Sequence, residues 1–580
     1  SFYDESAYHK WKSENDNGKG WKIKYYKGLG TSTSKEFKEY FANKKIVTFK
    51  YGNTCDNAID KVFNKTRADD RKEWLEDYDK DKRLSYSKQH IRYDEFIDCE
   101  MIHFSKYDCE RSIPNMVDGW KTSTRKILYS AFKKNLVKEI KVAQFSGYVS
   151  ENSCYHHGEM SLNKAIIGMA QEFVGSNNLN VLLPNGQFGT RLEGGSDHAS
   201  ERYIFTALNK LTSFVFRSDD NPILNYLDDD GTSVEPDFYV PIIPMVLVNG
   251  GKGIGTGFSY EGLSYNPQQI IKYLKNKLNG KHLNTIEPYF EGFKGSITEI
   301  NDAKQKYKKY LIKGKYKIIS ADTIQITELP IGTWTTPYKQ FIETLMDVKK
   351  KKATVIIKSY RDSCTDTEVD FTIKFMPNVL ADLLSSQYTE NINMLEKTLK
   401  LYTTKSTSNM HLFDHKQRLK KYEDVYEIIE EYFPIRYNKY VERKAYKIDK
   451  LEKTLKELSN KARFIKEQCD DVIDLRKKKR DVVIKLLKDS GYDVMDGDEE
   501  YKYLRDMKLS MVEEENYIRL MNDRENKKGE LETLKNTSIE DMWYTELEEL
   551  EKEYLIYQNA RKIRAVGKAS KKKKKSKKLK

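Results

Sequence analysis

Residues 110–126, ERSIPNMVDGWKTSTRK, place Arg111, Asp118, Lys121 and Arg125 just ahead of an apolar helical face made by Ile127, Leu128, Ala131 and Phe132. A turn that delivers basic side chains and backbone amides to the start of a helix is how a helix-turn-helix element meets phosphates. The stretch therefore predicts a helix-turn-helix entry. Around it, from about residue 104 to 258, apolar content rises and helix signals are clear. In SLNKAIIGMAQEFVG (161–175), Leu162, Ala165, Ile166, Met169, Ala170, Phe173 and Val174 share one face, and the pattern stops at Gly175, as a helix ending in glycine does.

Further out, the chain divides by pattern. Residues 1–50 read as the end of an α/β element: Trp21, Ile23 and Tyr25 alternate as a short strand, KGLG turns, and a Ser/Thr-capped helix follows. Residues 55–100 read as charged helix. ADTIQITELPI, KATVIIKSY and EVDFTIKFM alternate as strands among helices between 260 and 405, which predicts a separate α/β domain. Residues 412–560 are nearly all helical. Ile448, Leu451, Leu455, Leu458, Ala462, Ile465, Cys469 and Val472 step by three and four over about three and a half heptads. A break at DSGYDVMDGDEE and a second helical stretch to Ala560 predict an antiparallel pair of long helices.

Composition bounds the function. At 580 residues the chain is long enough for about three or four domains. Its net charge is +14, but the tail 561–580 holds 12 basic residues and no acidic one. Residues 1–560 carry 90 basic against 88 acidic side chains, so nucleic-acid binding by the folded part must rest on local arrangement. The tail is a solvated polycation suited to nonspecific phosphate contact or nuclear import. Cys55, Cys99, Cys109, Cys154, Cys364 and Cys469 form no C-x-x-C pair, which argues against zinc and fits a reducing compartment. No stretch approaches the roughly 20 apolar residues of a membrane span, and no secretory signal is visible. The chain starts at Ser1, not Met, which suggests a piece of a longer protein.

The segment GGSDHASERYIF (194–205) sets Arg202 beside Tyr203. A tyrosine oxygen can attack a phosphodiester if cations or a base help remove its proton, since a free phenol has a pKa of about 10. The charge that develops on the phosphate calls for Arg, Lys or His nearby. In a chain with 40 tyrosines, one Arg-Tyr pair alone reads as ordinary packing. YHHGE brings His156 and His157, equally suited to a phosphate, zinc or a core position. NGGKGIGTG (249–257) lacks the G-x-G-x-x-G spacing of a dinucleotide loop. It reads either as a tight turn between strands or as a glycine loop that pushes Ile254 between base pairs. LDDDG (227–231) reads as a loop rather than a metal site.

Taken in order, YYKGLGTSTSKE, DDRKEWL, ERSIPNMVDGWK, YHHGEMSL, FVGSNNLN, GQFGTRL, ASERYIF, EPDFYVPIIPMVLVNG and GIGTGFS resemble the DNA breakage-reunion core of a eukaryotic-type type IIA DNA topoisomerase. The resemblance runs from about Tyr25 to Tyr554. It implies a multidomain α+β architecture: residues 1–45 as the C-terminal part of a Toprim domain, 46–103 as a helical linker, and 104–258 as a winged-helix domain. It further implies an α/β tower over 259–405, a coiled coil with exit gate over 406–560, and a disordered polybasic tail over 561–580. It implies Tyr203 as nucleophile, with Arg202, Arg111 and His157 as catalytic partners. Lys121, Arg125, Lys27 and Ile254 are implied as DNA contacts, Ile254 being the bending wedge. Double-stranded DNA and a second copy of the chain are the implied partners, in a nucleus or the cytoplasmic factory of a large DNA virus.

Two departures stand out. The family's KPGQRK reads KTSTRK here, and its SPRY reads SERY, which puts Glu201 next to Arg202. Glu201 is expected to face away. The family's Mg²⁺-binding carboxylates lie upstream of KGLG and its ATPase domain lies further upstream, so both cofactors are expected to act outside this chain. The alternative reading is a noncatalytic protein of the same fold that binds and bends DNA. A tyrosine recombinase or nuclease is disfavoured by the long coiled coil and the GQFGTRL segment.

Overall fold

The computed structural model describes the chain except residues 1, 3–4, 25, 27–29, 31, 45, 85–87, 230, 301–306, 347–354, 509–510, 512 and 579–580. It forms two compact units. One comprises residues 1–114, 251–262 and 409–421, and the other 115–250, 263–408 and 422–580. The expected boundaries at 104 and 258 are therefore crossed, because the helix before residue 114 and the glycine hairpin pack with the N-terminal segment.

In the first unit, Thr33 and Glu36 form a reciprocal cap that starts the Ser34–Ala42 helix. The segment expected as a helical linker also contains strands: Thr48–Lys50 pairs in parallel with His90–Arg92. Between those strands lie helices Cys55–Phe63 and Ala68–Glu76. Helix Tyr93–Phe96 continues through a π turn, Ile97–Met101, into Ile102–Ser112. An antiparallel hairpin, Gly251–Ile254 with Ser259–Gly262, lies against the end of that helix. The close approach needs glycine: a Cβ on Gly253 would collide with the Ser112 carbonyl, and one on Gly255 would stand 3.0 Å from the Cys109 sulfur. Burial pushes that thiol up to about 12.

The second unit opens with helices Thr122–Lys133, Val142–Asn152 and Glu159–Ala170. Ile127, Leu128, Ala131, Val142, Phe145, Val149, Leu162 and Ile166 form their shared core, each at most 1% exposed. Two short antiparallel pairs accompany them, Ile140–Lys141 with Phe205–Thr206 and Tyr226–Asp229 with Thr232–Pro236. The Lys126 ammonium reaches buried Glu235 on the second pair at 2.8 Å. The expected α/β tower is instead antiparallel throughout its sheets. Tyr402–Ser406, Lys309–Lys313 and Ser296–Ile300 make one sheet. Lys315–Ser320, Thr323–Glu328, Phe371–Phe375 and Ile357–Asp362 make the other. Helices such as Thr335–Thr344 lie outside the sheet order and cover its core, which includes Ile324, Ile326, Phe371 and Ile373. Alternation marks a strand but not the direction of its neighbour, so the pattern does not separate α+β from α/β here.

Val425–Cys469 is a single helix of 45 residues. It runs antiparallel to Glu514–Asn536: Glu452 meets Lys535 at 2.7 Å, while Ala462 and Ile465 pack on Leu520 further along. The expected stripe ends early. Cys469 closes the helix exposed and Val472 is 68% exposed, because Phe464 and Ile473 turn into a separate cluster with Val483, Leu487, Tyr492 and Leu504. At its base the helix buries Arg436 and Arg443 around Asp220, whose carboxylate takes Arg436 at 2.6 Å and Arg443 at 3.4 Å. The last helix, Ile539–Lys578, runs through the expected order–disorder boundary at 561. Arg561 is buried and donates to the carbonyls of Glu172, Asn177 and Asn178, which explains why the helix does not stop there.

Candidate active site

The 110–126 turn folds around a carboxylate. Asp118 is fully buried, and its two oxygens accept from the Trp120 and Tyr239 amides at 2.9 and 3.0 Å and from the Arg125 guanidinium at 2.7 and 3.1 Å. Arg125 also donates to the Trp120 carbonyl at 3.0 Å and is only 7% exposed. This corrects the expectation that Arg125 contacts DNA: its donors are committed to the turn. Its neighbour Lys121 caps the N-terminus of Thr122–Lys133 and is partly exposed, with burial lowering its ammonium pKa. Gly119, at φ +71°, lies so close to Val246 that a Cβ would stand 2.6 Å from its amide nitrogen. Turn, helix and Met245–Asn249 are thus fixed together.

Tyr203 sits on a turn whose flanks are pinned and whose side chain is free. Its amide donates to Ser200 O at 2.9 Å. The carbonyls of Glu201 and Ile204 accept from Ala143 and Val142, at 3.1 and 3.0 Å, at the start of the Val142–Asn152 helix. Ile204 is 1% exposed and serves as the anchor, whereas Tyr203 is 76% exposed. A large aromatic held outward by a rigid backbone is available to a ligand in a way a core tyrosine is not. Arg202 is exposed beside it, and among the described residues it forms no ion pair with Glu201. His157 precedes the Gly158 cap of Glu159–Ala170 and meets the Tyr155 ring edge-on at 5.3 Å. His156 instead contacts Asp229 at 3.0 Å, which ties it to the Tyr226–Asp229 strand.

The loop leading to Tyr203 is tightly held. Gly189, Gly194 and Gly195 all have positive φ, and a Cβ on any of them would collide with Gly195, the Trp334 indole or the Gln171 amide respectively. Asp197 accepts from the Thr190 amide and hydroxyl at 2.8 and 2.6 Å, and Ala199 N donates to Gln187 O at 2.9 Å. Arg191 forms a buried ion pair with Glu328. Gln171, Asp197 and Trp334 escape sequence reasoning. The crowded glycines do signal a close backbone approach, but nothing local to them says that Gln171 and Trp334 are what approaches.

In the other unit, Arg111 is exposed in the last turn of Ile102–Ser112. Ile254 ends its strand 68% exposed, ahead of a turn closed by Gly255 N to Phe258 O at 2.9 Å. An aliphatic side chain held out on a glycine hairpin is the shape of a wedge. Lys27 lies outside the described residues. Among the described residues, no group of three or more His, Cys, Asp or Glu side chains could hold a metal, and LDDDG makes no such site. No helix among them is long and apolar enough to cross a membrane.

Residues 111–548 match the family model for DNA gyrase/topoisomerase IV, and residues 1–109 match the C-terminal associated domain of TOPRIM. The second match runs across the boundary expected at residue 45. The chain is 41% identical over 603 residues to DNA topoisomerase 2-alpha of Rattus norvegicus, with 95% of this chain and 39% of that protein covered. It is 40% identical to DNA topoisomerase 2 of Plasmodium falciparum (isolate K1 / Thailand), covering 95% of this chain and 41% of the relative. The chain thus spans about two fifths of the length of the curated relatives it matches. The crystal structure of the Plasmodium falciparum topoisomerase II DNA-binding, cleavage and re-ligation domain is similar at TM-score 0.80 and 39% identity. That likeness covers 97% of this chain and 78% of that one.

Proposed function

Because the chain belongs to the type IIA DNA topoisomerase family, we propose that it is the breakage-reunion core of a topoisomerase II and that Tyr203 is its nucleophile. The observation that carries this is the exposed Tyr203 on a pinned turn beside Arg202. The Tyr203 oxygen attacks a DNA phosphorus, the bond to the 3′ oxygen breaks, and the phosphate stays linked to the tyrosine at the 5′ end. The phenol gives up one proton and the departing 3′ oxygen takes one. The diester is exchanged rather than hydrolysed, so the reverse step reseals the strand without a nucleotide. Arg202 and His157 stabilise charge on the phosphate oxygens, and Arg111 and Lys121 bind phosphates. Ile254 enters a base step and bends the duplex.

Two copies cutting opposite strands would open a duplex for passage of another. Mg²⁺ and ATP belong to this activity in the whole protein. No cluster among the described residues fits a metal, so no step above runs through one. A nuclear or viral-factory location follows from the same reading. The test is Tyr203→Phe on DNA whose scissile 3′ oxygen is replaced by sulfur, a better leaving group that prevents resealing. Covalent protein–DNA adducts should form with the unaltered chain and vanish with the variant. Adducts persisting in the variant would refute the assignment. Bending without adducts in the unaltered chain would favour the architectural reading.

A further inference from the structure

Gln171 lies at the end of the Glu159–Ala170 helix, 32 positions before Tyr203, and in sequence it is merely one polar residue within an apolar run. Its own backbone is fixed twice. Its amide donates to Ile167 O at 3.1 Å, and its carbonyl accepts from Asn177 Nδ2 at 2.9 Å. From that fixed point the side-chain amide nitrogen reaches across to two carbonyls of the nucleophile loop, Phe188 O at 2.9 Å and Gly195 O at 3.1 Å. Those residues lie at opposite sides of the loop, so one NH₂ group closes it. Gly195 has φ +87° and presses so near that a Cβ would stand inside the Gln171 amide. Trp334, one residue before the Thr335–Thr344 helix, closes the loop at Gly194 and meets Phe173 edge-on at 5.6 Å.

We propose that Gln171 is a positioning residue for Tyr203: its two donated hydrogen bonds fix the 188–195 loop, and through it the turn that aims the phenol. The proposal rests on the nucleophile assignment above. The physical argument is specific to the NH₂ group. No hydroxyl or carboxylate offers two donors from one atom, and buried carbonyls left without donors are costly. A side chain of equal length without donors fills the same space and releases the loop. Displacing a reacting atom by about 1 Å can cost about 10²-fold in rate while leaving distant binding contacts intact.

The experiment compares the unaltered chain with Gln171→Met and Gln171→Glu, near-isosteric changes that lose both donors. Three quantities are measured: the rate of adduct formation on the sulfur-substituted DNA at saturation, the DNA affinity, and amide hydrogen exchange. Expected are adduct rates lower by about 10²-fold, unchanged DNA affinity, and faster exchange confined to residues 186–203. Equal adduct rates, or a loss of DNA affinity matching the loss of rate, would overturn the positioning role. Unchanged exchange across 186–203 would overturn the clamp itself. Should the unaltered chain form no adduct, the nucleophile assignment fails, and the exchange arm still decides whether Gln171 holds the loop.

Discussion

At the residue scale, what distinguishes Tyr203 from the other 39 tyrosines is how it is held. Tyr440 and Trp543 show the ordinary alternative: both are fully buried, and Tyr440 is packed between Arg436 and Arg443 at 4.0 and 4.3 Å. Tyr203 is the reverse, an exposed ring on an anchored backbone. The charged groups near it divide the same way. Arg202 and Arg111 are exposed, whereas Arg125 is committed to Asp118. Asp118→Ala should therefore destabilise the fold by about 3–5 kcal/mol, since it strands a buried guanidinium. Denaturant unfolding of the variant checks this, and a loss below about 1 kcal/mol would mean that Arg125 finds other partners. Sequence spacing marks Arg125 correctly as a special arginine at a helix entry. It gives no sign of the direction of its side chain, because Tyr239, whose amide helps bury Asp118, lies 121 residues away.

At the element scale, glycines and caps decide what is presented and when it holds. The Gly251–Ile254 hairpin holds Ile254 outward because Gly253 and Gly255 let its backbone lie on the end of Ile102–Ser112. Ile254→Ala should reduce DNA bending, read by energy transfer between end labels, with little change in affinity, since affinity rests on phosphate contacts. Equal bending would remove the wedge role. Glu36 gives a pH-dependent element. The Thr33 amide first, then Tyr26 and Lys24, hold its carboxyl down at about 2. A depressed carboxyl contributes stability that is complete above its unfolded pKa, near 4.5, and lost as pH falls toward about 2. Amides of Ser34–Ala42 should lose protection across that window, and Glu36→Gln should blunt the transition. The helices are legible in sequence, since their apolar faces and caps repeat locally. Strand direction in the tower and the early end of the coiled-coil stripe are not, because both are decided by which distant segment supplies the neighbour.

At the scale of the whole molecule, the ordered motifs identify the family more securely than any element does, and the matches over 1–109 and 111–548 cover nearly the entire chain. The last helix departs furthest from its sequence pattern. A run of lysines reads as solvated tail, yet Arg561 and Arg564 tie the helix to Glu172, one residue from Gln171. Arg561→Ala should loosen that end and raise amide exchange around Glu172–Asn178, while exchange in the Glu514–Asn536 helix stays as it was. A two-strand cut requires two nucleophiles, so sedimentation of the 68.1 kDa chain on DNA should give a two-chain complex. A single chain per duplex would leave only nicking. The central claim is that one tyrosine makes the covalent bond. Proteolysis of the trapped protein–DNA adduct, followed by fragmentation mass spectrometry, should place the phosphonucleotide on Tyr203 and join it through the 5′ phosphate. A nucleotide on any other residue, or linkage through a 3′ phosphate, would contradict the account.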